Sequence, residues 1–274
     1  MADLMLHSLK EYEEIIFSLL DRTRPNSVLE IGSDSGPFTD RLIKYCGEKK
    51  IELVTVEPSP SEALAAQAID SEVYNLYQGL GLIYLLAPGC RSEFTLIDGD
   101  HNYFSVYNEL KLLDRAWSER SAEGVVLVHH VGWPCARRDS YYEPSGLPSE
   151  VVHPHSFELG ASLDTAALGK GGLRGGGSFA MALNEGGPRN GVLTAVEDFL
   201  KDQPRYTVRI IDAVFGLAAI TVRGTESERH VNEVFGPYDN ELMRHLERNR
   251  LELFLKVVEL QDALTAQSPA QPSR

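Results

Sequence analysis

Ser27-Val28-Leu29-Glu30-Ile31-Gly32-Ser33-Asp34-Ser35-Gly36 is a short apolar run that ends in a turn punctuated by two glycines. Val28, Leu29 and Ile31 suit a strand buried on both faces. Gly32 and Gly36 lack a Cβ where a backbone must approach a ligand, and Pro37-Phe38-Thr39 opens an amphipathic pattern through Leu42 and Ile43. The order strand, glycine turn, helix puts the turn at the carboxyl edge of a parallel sheet, where ligands bind beside a helix N-terminus. The spacing is Glu-x-Gly-x-x-x-Gly rather than Gly-x-Gly-x-x-Gly, which disfavours a dinucleotide pyrophosphate.

A second apolar run, Ile51 to Val56, ends in Glu57, where a carboxylate can accept both hydroxyls of a ribose. The plain alternative for Glu57 is a solvated strand-end cap. Together the two features resemble the S-adenosylmethionine site of class I methyltransferases: Glu30 and Gly32 match the first motif of that family, and Glu57 matches its ribose-binding acid. The resemblance implies S-adenosylmethionine as cofactor, with Glu30, Gly32, Ser33, Gly36, Glu57 and Asp98 around it. It also implies an α/β fold: a doubly wound, mostly parallel seven-stranded, Rossmann-like sheet with a closing antiparallel hairpin.

Working outward, Leu6, Leu9, Ile15, Ile16, Leu19 and Leu20 predict an amphipathic helix from about 5 to 22 that covers one sheet edge, broken at Arg24-Pro25-Asn26. After Glu57 come a helix over Glu62 to Ile69, a short strand Val73 to Leu76, a weak helix Leu80 to Leu86 and a strand Phe94 to Ile97. A helix from Tyr103 to about Trp117 and a strand Gly124 to Val128 follow. This alternation implies a parallel sheet whose strand ends open on one edge. Further on, Val192 to Leu200 is a helix, and Tyr206 to Ile211 and Val214 to Val222 are strands joined at Asp212-Ala213. The domain is expected over 1–236. A Pro- and Gly-rich insertion at about 131–190, with six glycines from Gly169 to Gly177, is expected to be an acceptor-substrate lid, with a passive surface loop as its alternative.

The strand ends carry the chemistry. Asp98, Asp100 and His101 follow the fourth strand, and His129 and His130 the fifth. Asp98 with His129 and His130 offers a two-histidine, one-carboxylate face for a divalent ion, provided the chain turns so that both imidazoles reach one side. The run Leu96 to Tyr103 is similar to the strand-four signature of a methyltransferase subgroup containing sugar and macrolide O-methyltransferases and a cephalosporin-hydroxylase relative. In metal-dependent members a carboxylate matching Asp98 binds the ion. An acidic or His-Asp pair usually ends the fifth strand, and here the pair is His129-His130. His101 stands where some members carry the general base, and an imidazole titrating near ~6.5 suits that task. Asp100 is the expected acidic neighbour, and N-capping of the next helix is the structural alternative. His129, His130 and His153 are the next candidate bases, in that order. Arg137 and Arg138 are read either as a carboxylate clamp for the acceptor or as partners of Asp139 and Glu143.

With 274 residues, 43% hydrophobic and 24% charged, the chain suits one soluble domain. A net charge of -14 works against nucleic acid, so the expected partner is a small-molecule acceptor. Cys46, Cys90 and Cys135 have no metal or disulfide spacing, which fits a reducing cytoplasm. Charges scattered through Met1 to Leu20 argue against a signal peptide, and no run approaches the ~20 residues of a membrane span. A C-terminal helix is expected over 237–266. Leu246, Leu253, Val257, Leu260 and Leu264 lie near heptad spacing and either pack on the chain's own domain or join a homo-oligomer; 267–274 is expected to be a disordered tail.

The resulting expectation is methyl transfer to a hydroxyl of a sugar or natural product, with a divalent metal ion as a further candidate cofactor. An iron-dependent oxidase or hydroxylase and a non-catalytic cofactor-binding subunit are the rivals.

Overall fold

The computed structural model describes residues 5–33, 36–69 and 71–267. Asp34 and Ser35 of the first turn lie outside the described residues, as do 268–274 of the expected tail. Strands β1 (Ser27–Ile31), β2 (Glu52–Glu57), β3 (Tyr74–Gln78), β4 (Phe94–Ile97) and β5 (Val125–His129) alternate with helices α1 (Glu13–Thr23), α2 (Pro37–Lys49), α3 (Glu62–Ile69), α4 (Gly81–Leu86) and α5 (Tyr103–Glu119). Between β5 and α6 (Val192–Asp202), the short strands β6 (Ser140–Tyr141), β7 (His155–Ser156) and β8 (Ala180–Ala182) form a separate sheet. Strands β9 (Tyr206–Ile211) and β10 (Leu217–Val222) and helices α7 (Glu226–Phe235) and α8 (Glu241–Gln267) complete the chain.

The main sheet runs β3-β2-β1-β4-β5-β10-β9. Strands β1 to β5 pair in parallel, and β10 lies antiparallel between β5 and β9. This is the doubly wound, mostly parallel seven-stranded sheet with a closing hairpin that the sequence predicts. Side-chain alternation divides the core. Val28 packs with Leu19, Phe38, Leu42, Val231 and Phe235 on the face covered by α1, α2 and α7. Leu29 and Ile31 pack with Leu85, Val106, Leu110, Val192 and Phe199 on the face covered by α4, α5 and α6. A fully buried Leu or Ile contributes about 1.5–3 kcal/mol relative to its exposed state, so each strand draws stability from both layers.

Helix α1 starts at Glu13 rather than near residue 5 and lies on a face, not an edge. The Ser8 hydroxyl accepts from Lys10 N at the head of a short 3-10 turn over Leu9–Tyr12, and Arg250 Nη1 donates to Leu6 O at 2.7 Å, which draws the preceding residues across the strand ends. The β9–β10 connection is longer than a tight turn at Asp212-Ala213. Val214 and Phe215 both have positive φ and Gly216 follows, so β10 begins only at Leu217. Helix α7 has no counterpart in the sequence reading, because Val231, Val234 and Phe235 are its buried residues among many charges. Helix α8 buries Glu247 and Leu251 against the domain, while Leu246, Leu253 and Leu260 are exposed. Among the described residues, no helix is long and apolar enough to cross a membrane.

Candidate functional site

The β1 turn is held by its neighbours. Gly32 has φ +85, and a Cβ there would stand 2.5 Å from Asp98 O and from Gly99 Cα. Its missing side chain therefore admits the end of β4, where the sequence reading expected a ligand. Ser33 N and Oγ donate to Glu57 Oε2 at 3.0 and 3.2 Å, and Ser59 N donates to Glu57 Oε1 at 3.0 Å. The acid that ends β2 thus fixes the turn that ends β1. Gly36 is the N-cap of α2, with φ +87 and the Leu64 side chain beside it.

Glu30 is buried in the strand beneath this turn, accepting from Thr39 Oγ1 at 3.0 Å and Thr55 Oγ1 at 2.8 Å. Burial pushes its carboxyl up to about 8, against the pull of those two hydroxyls. Because the folded pKa exceeds the unfolded one, the stability linked to this proton is full below pH ~4.5 and is lost as pH rises through about 8. A Glu30→Gln chain, measured by denaturant unfolding at pH 5.5 and 8.5, should therefore gain on the wild type toward alkaline pH. Each pKa unit corresponds to about 1.4 kcal/mol. A stability difference that does not change with pH would return Glu30 to an ordinary carboxylate.

Three imidazoles converge on one carboxylate oxygen. Asp98 Oδ1 lies 3.0 Å from His129 Nδ1, 3.5 Å from His101 Nε2 and 3.6 Å from His130 Nε2. The convergence depends on the turn the sequence reading required: His130 has φ +61, so the chain leaves the extended conformation directly after β5. His129 is buried, and its Nε2 lies 2.9 Å from Val214 O. Burial works against its charge, but Asp98 and Val214 O prevail, so its pKa is raised. The same pairing overcomes the burial of Asp98 and holds its carboxyl well below the usual carboxylate range. His130 is the opposite case. Burial, then repulsion from His101 and His129, hold its pKa well below that of an ordinary imidazole, so it is neutral at pH 7.

Among the described residues, His101 Nε2 and His130 Nδ1 are buried without a hydrogen-bond partner, and the two rings lie 3.8 Å apart. His101 is not the N-cap of α5; Asn102 Oδ1 takes that role, accepting from Ser105 N at 2.9 Å. Nor does Asp100 serve His101, since it accepts from Ser105 Oγ at 3.0 Å. The acid facing His101 is Asp98.

The cluster fits a divalent transition-metal ion. Ligand atoms about 2.1 Å from one ion stand about 3.0–3.4 Å apart in octahedral or tetrahedral geometry, close to the spacings around Asp98 Oδ1. With Val214 O accepting from His129 Nε2, an ion that displaced the Nδ1 proton now shared with Asp98 would find the Nδ1 lone pair directed at it, the arrangement outer-shell carbonyls give metal-bound histidines. Asp98, His129 and His130 place ligand atoms within 4.8 Å of one another, as do His101, His130 and Cys135. A nitrogen-rich set suits zinc, iron or nickel rather than magnesium.

Over this cluster lies a cavity of about 330 Å³. Its floor includes Glu30, Gly32, Ser33, Asp98, His101 and His130, and its walls include Phe38, Tyr142, Phe179, Phe215 and Phe254. Glu57 and Gly36 border the turn without lining the cavity. The 131–190 segment supplies Tyr142, Leu173, Arg174 and Phe179, and it is organised by the β6-β8-β7 sheet and the bridges Gly160–Gly169 and Ala161–Leu173. Arg137 grips Glu197 with two bonds of 2.6 and 2.7 Å, and Arg138 is fully buried with Nη1 and Nη2 on Ala182 O and Ala166 O. Both arginines are therefore structural, though with Glu197 and carbonyls rather than Asp139 and Glu143. His153 Nε2 lies 2.9 Å from Arg189 O and outside the cavity lining. Met5, His7, Ser8, Leu9, Phe215 and Phe254 also line the cavity, and no local motif in the sequence ties them to the strand ends.

No family model matches the sequence, and no curated protein matches it. Several solved structures share the general chain trace. An SAH-bound methyltransferase, PaMTH1, from Podospora anserina is 21% identical, with 81% of each chain covered and a TM-score of 0.48. A methyltransferase from Geobacter sulfurreducens is 12% identical, with 80% of each chain covered and a TM-score of 0.44. Spermidine synthase from Thermotoga maritima is 11% identical over 88% of this chain and 67% of that one, with a TM-score of 0.42. Likeness at this level transfers no chemistry to the present chain.

Proposed function

We propose that this chain transfers a methyl group from S-adenosylmethionine to a hydroxyl oxygen of a small molecule, of sugar or natural-product type, seated over Asp98. The observation that carries the reading is one juxtaposition. The Gly32–Ser33 turn with its Glu57 support and the Asp98–His101–His130 cluster meet at a single cavity on the carboxyl edge of β1, β4 and β5. The aromatic walls suit an acceptor with a flat or apolar face. In-line transfer breaks the sulfur–methyl bond as the carbon–oxygen bond forms, and the hydroxyl proton leaves to a base. Holding two reactants in line supplies most of the acceleration, and His101, whose ring lines the cavity 3.8 Å from that of His130, is placed to take the proton. Asp98, His129 and His130 would hold a divalent ion, whose contribution when bound is to acidify a hydroxyl as a Lewis acid.

The test is a mass spectrum of ligands retained by the purified protein with metal analysis alongside, followed by calorimetry with S-adenosylmethionine. Retained iron with oxygen uptake and no methyl transfer would replace this reading with an oxidase. Glu57→Ala should weaken S-adenosylmethionine at least tenfold. It removes charge-assisted bonds of about 1.5–3 kcal/mol each to ribose hydroxyls and releases Ser33 from its anchor. Unchanged affinity in that variant would take Glu57 out of the site.

A further inference from the structure

We infer that Glu247, on the C-terminal helix, is a positioning residue for the His129–His130 pair, acting through the Val214–Phe215 turn, so that α8 is part of the active site. The inference rests on the reading above that these histidines serve the chemistry. Val214 and Phe215 have φ of 46 and 64, a region that β-branched and aromatic residues avoid. Something must hold them there, and Glu247 does: Oε2 accepts from Val214 N at 3.0 Å and Oε1 from Phe215 N at 3.1 Å. The buried carboxylate is balanced by Arg250, whose Nε and Nη2 donate to its two oxygens at 2.6 Å each. The Arg250 guanidinium also lies 4.9 Å over the Phe215 ring.

What this turn touches gives it a role beyond packing. Val214 O accepts from His129 Nε2 at 2.9 Å, which holds that nitrogen protonated and turns Nδ1 toward Asp98. The Phe215 ring stacks on His130, 5.4 Å between centroids at 18°. Phe215 O accepts from Gly132 N at 2.5 Å, and a Cβ on Gly132 would stand 2.6 Å from that oxygen, so the turn also locks the chain leaving His130. One carboxylate on α8 thus sets both imidazoles without lining the cavity itself.

The experiment reads the ring nitrogens of His129 by NMR in the full-length protein, stripped of metal by chelator and free of cofactor. Wild type should show a protected, hydrogen-bonded Nε2 proton. Glu247→Gln should exchange that proton at least tenfold faster while remaining folded. It should also lower kcat and zinc affinity about 10–100-fold, as loss of an outer-shell partner does, with KM for S-adenosylmethionine nearly unchanged. Arg250→Lys keeps the charge but loses the two-pronged grip. It should shift exchange in the same direction by a smaller factor, and it carries the test if Glu247→Gln does not fold. An Nε2 proton equally protected in a folded variant would overturn the positioning role. A wild type that shows the protected proton yet transfers no methyl group would overturn the functional reading while leaving the positioning of His129 standing.

Discussion

Asp98→Asn is expected to reduce methyl transfer by about 10³- to 10⁴-fold, the upper part of the range for groups that govern proton transfer. The variant keeps the shape of the side chain and removes its charge. In the wild type, one oxygen of Asp98 bonds His129 at 3.0 Å and faces His101 and His130 at 3.5 and 3.6 Å, so a single substitution removes the charge that all three imidazoles face. It also leaves the buried His129 facing a neutral amide. Breaking a buried pair from one side costs about 3–5 kcal/mol, and the lower end applies because 18% of the Asp98 side chain remains exposed.

The sign of the pH dependence follows from the two shifts. The depressed Asp98 contributes stability above its unfolded value of ~3.9, and this is lost as pH falls through the folded value. The raised His129 contributes stability below ~6.5, lost as pH rises through its folded value. The stability gap between wild type and Asp98→Asn should therefore be widest between about pH 4 and 6.5 and narrow on both sides. Denaturant unfolding across that range, with metal content measured on the same samples, checks both halves. A gap that keeps widening above pH 8, or a variant with full activity, would dissolve the cluster as the reactive centre.

The parts of this site that could be read from the sequence are those whose cause is local. Strand β1 ends at Ile31 and Gly32 follows, so an apolar run and its turn are written side by side, and Glu57 lies at the end of the next strand. The sheet follows from alternation alone. The convergence of His129 and His130 was legible only as a condition, because adjacent strand residues diverge unless the backbone turns, and the φ of +61 at His130 is set by what packs around it. Glu247 was out of reach altogether. It acts on Val214 across 33 residues and Val214 on His129 across 85, and neither Glu247 nor the turn carries a motif. The sequence around Gly32 suggests ligand clearance, whereas the backbone at Asp98 and Gly99 occupies that space, a contact set by the pairing of β1 with β4.

His101→Ala separates the base from the ligand set. If His101 takes the hydroxyl proton, the rate at saturating substrates should fall about 10²- to 10⁴-fold, with cofactor affinity and metal content nearly intact. Its buried Nε2 has no hydrogen-bond partner among the described residues and its ring lines the cavity, so the substitution opens space without breaking a hydrogen bond to Nε2 from any of them. If His101 instead completes the ligand set with Asp98 and His130, metal retention should fall together with the rate. The remaining outcome, an undiminished rate, would move the proton to another group, and the structure narrows the choice. His129 has both ring nitrogens engaged, Nδ1 with Asp98 and Nε2 with Val214 O. His153 is turned onto Arg189 O, away from the cavity. That leaves His130, which burial and two neighbouring imidazoles keep neutral, with Nδ1 unpaired among the described residues and its ring in the same cavity. The order of alternatives is therefore His130 first, and a His101→Ala/His130→Ala double variant that still turns over at the wild-type rate would remove histidine from the proton transfer.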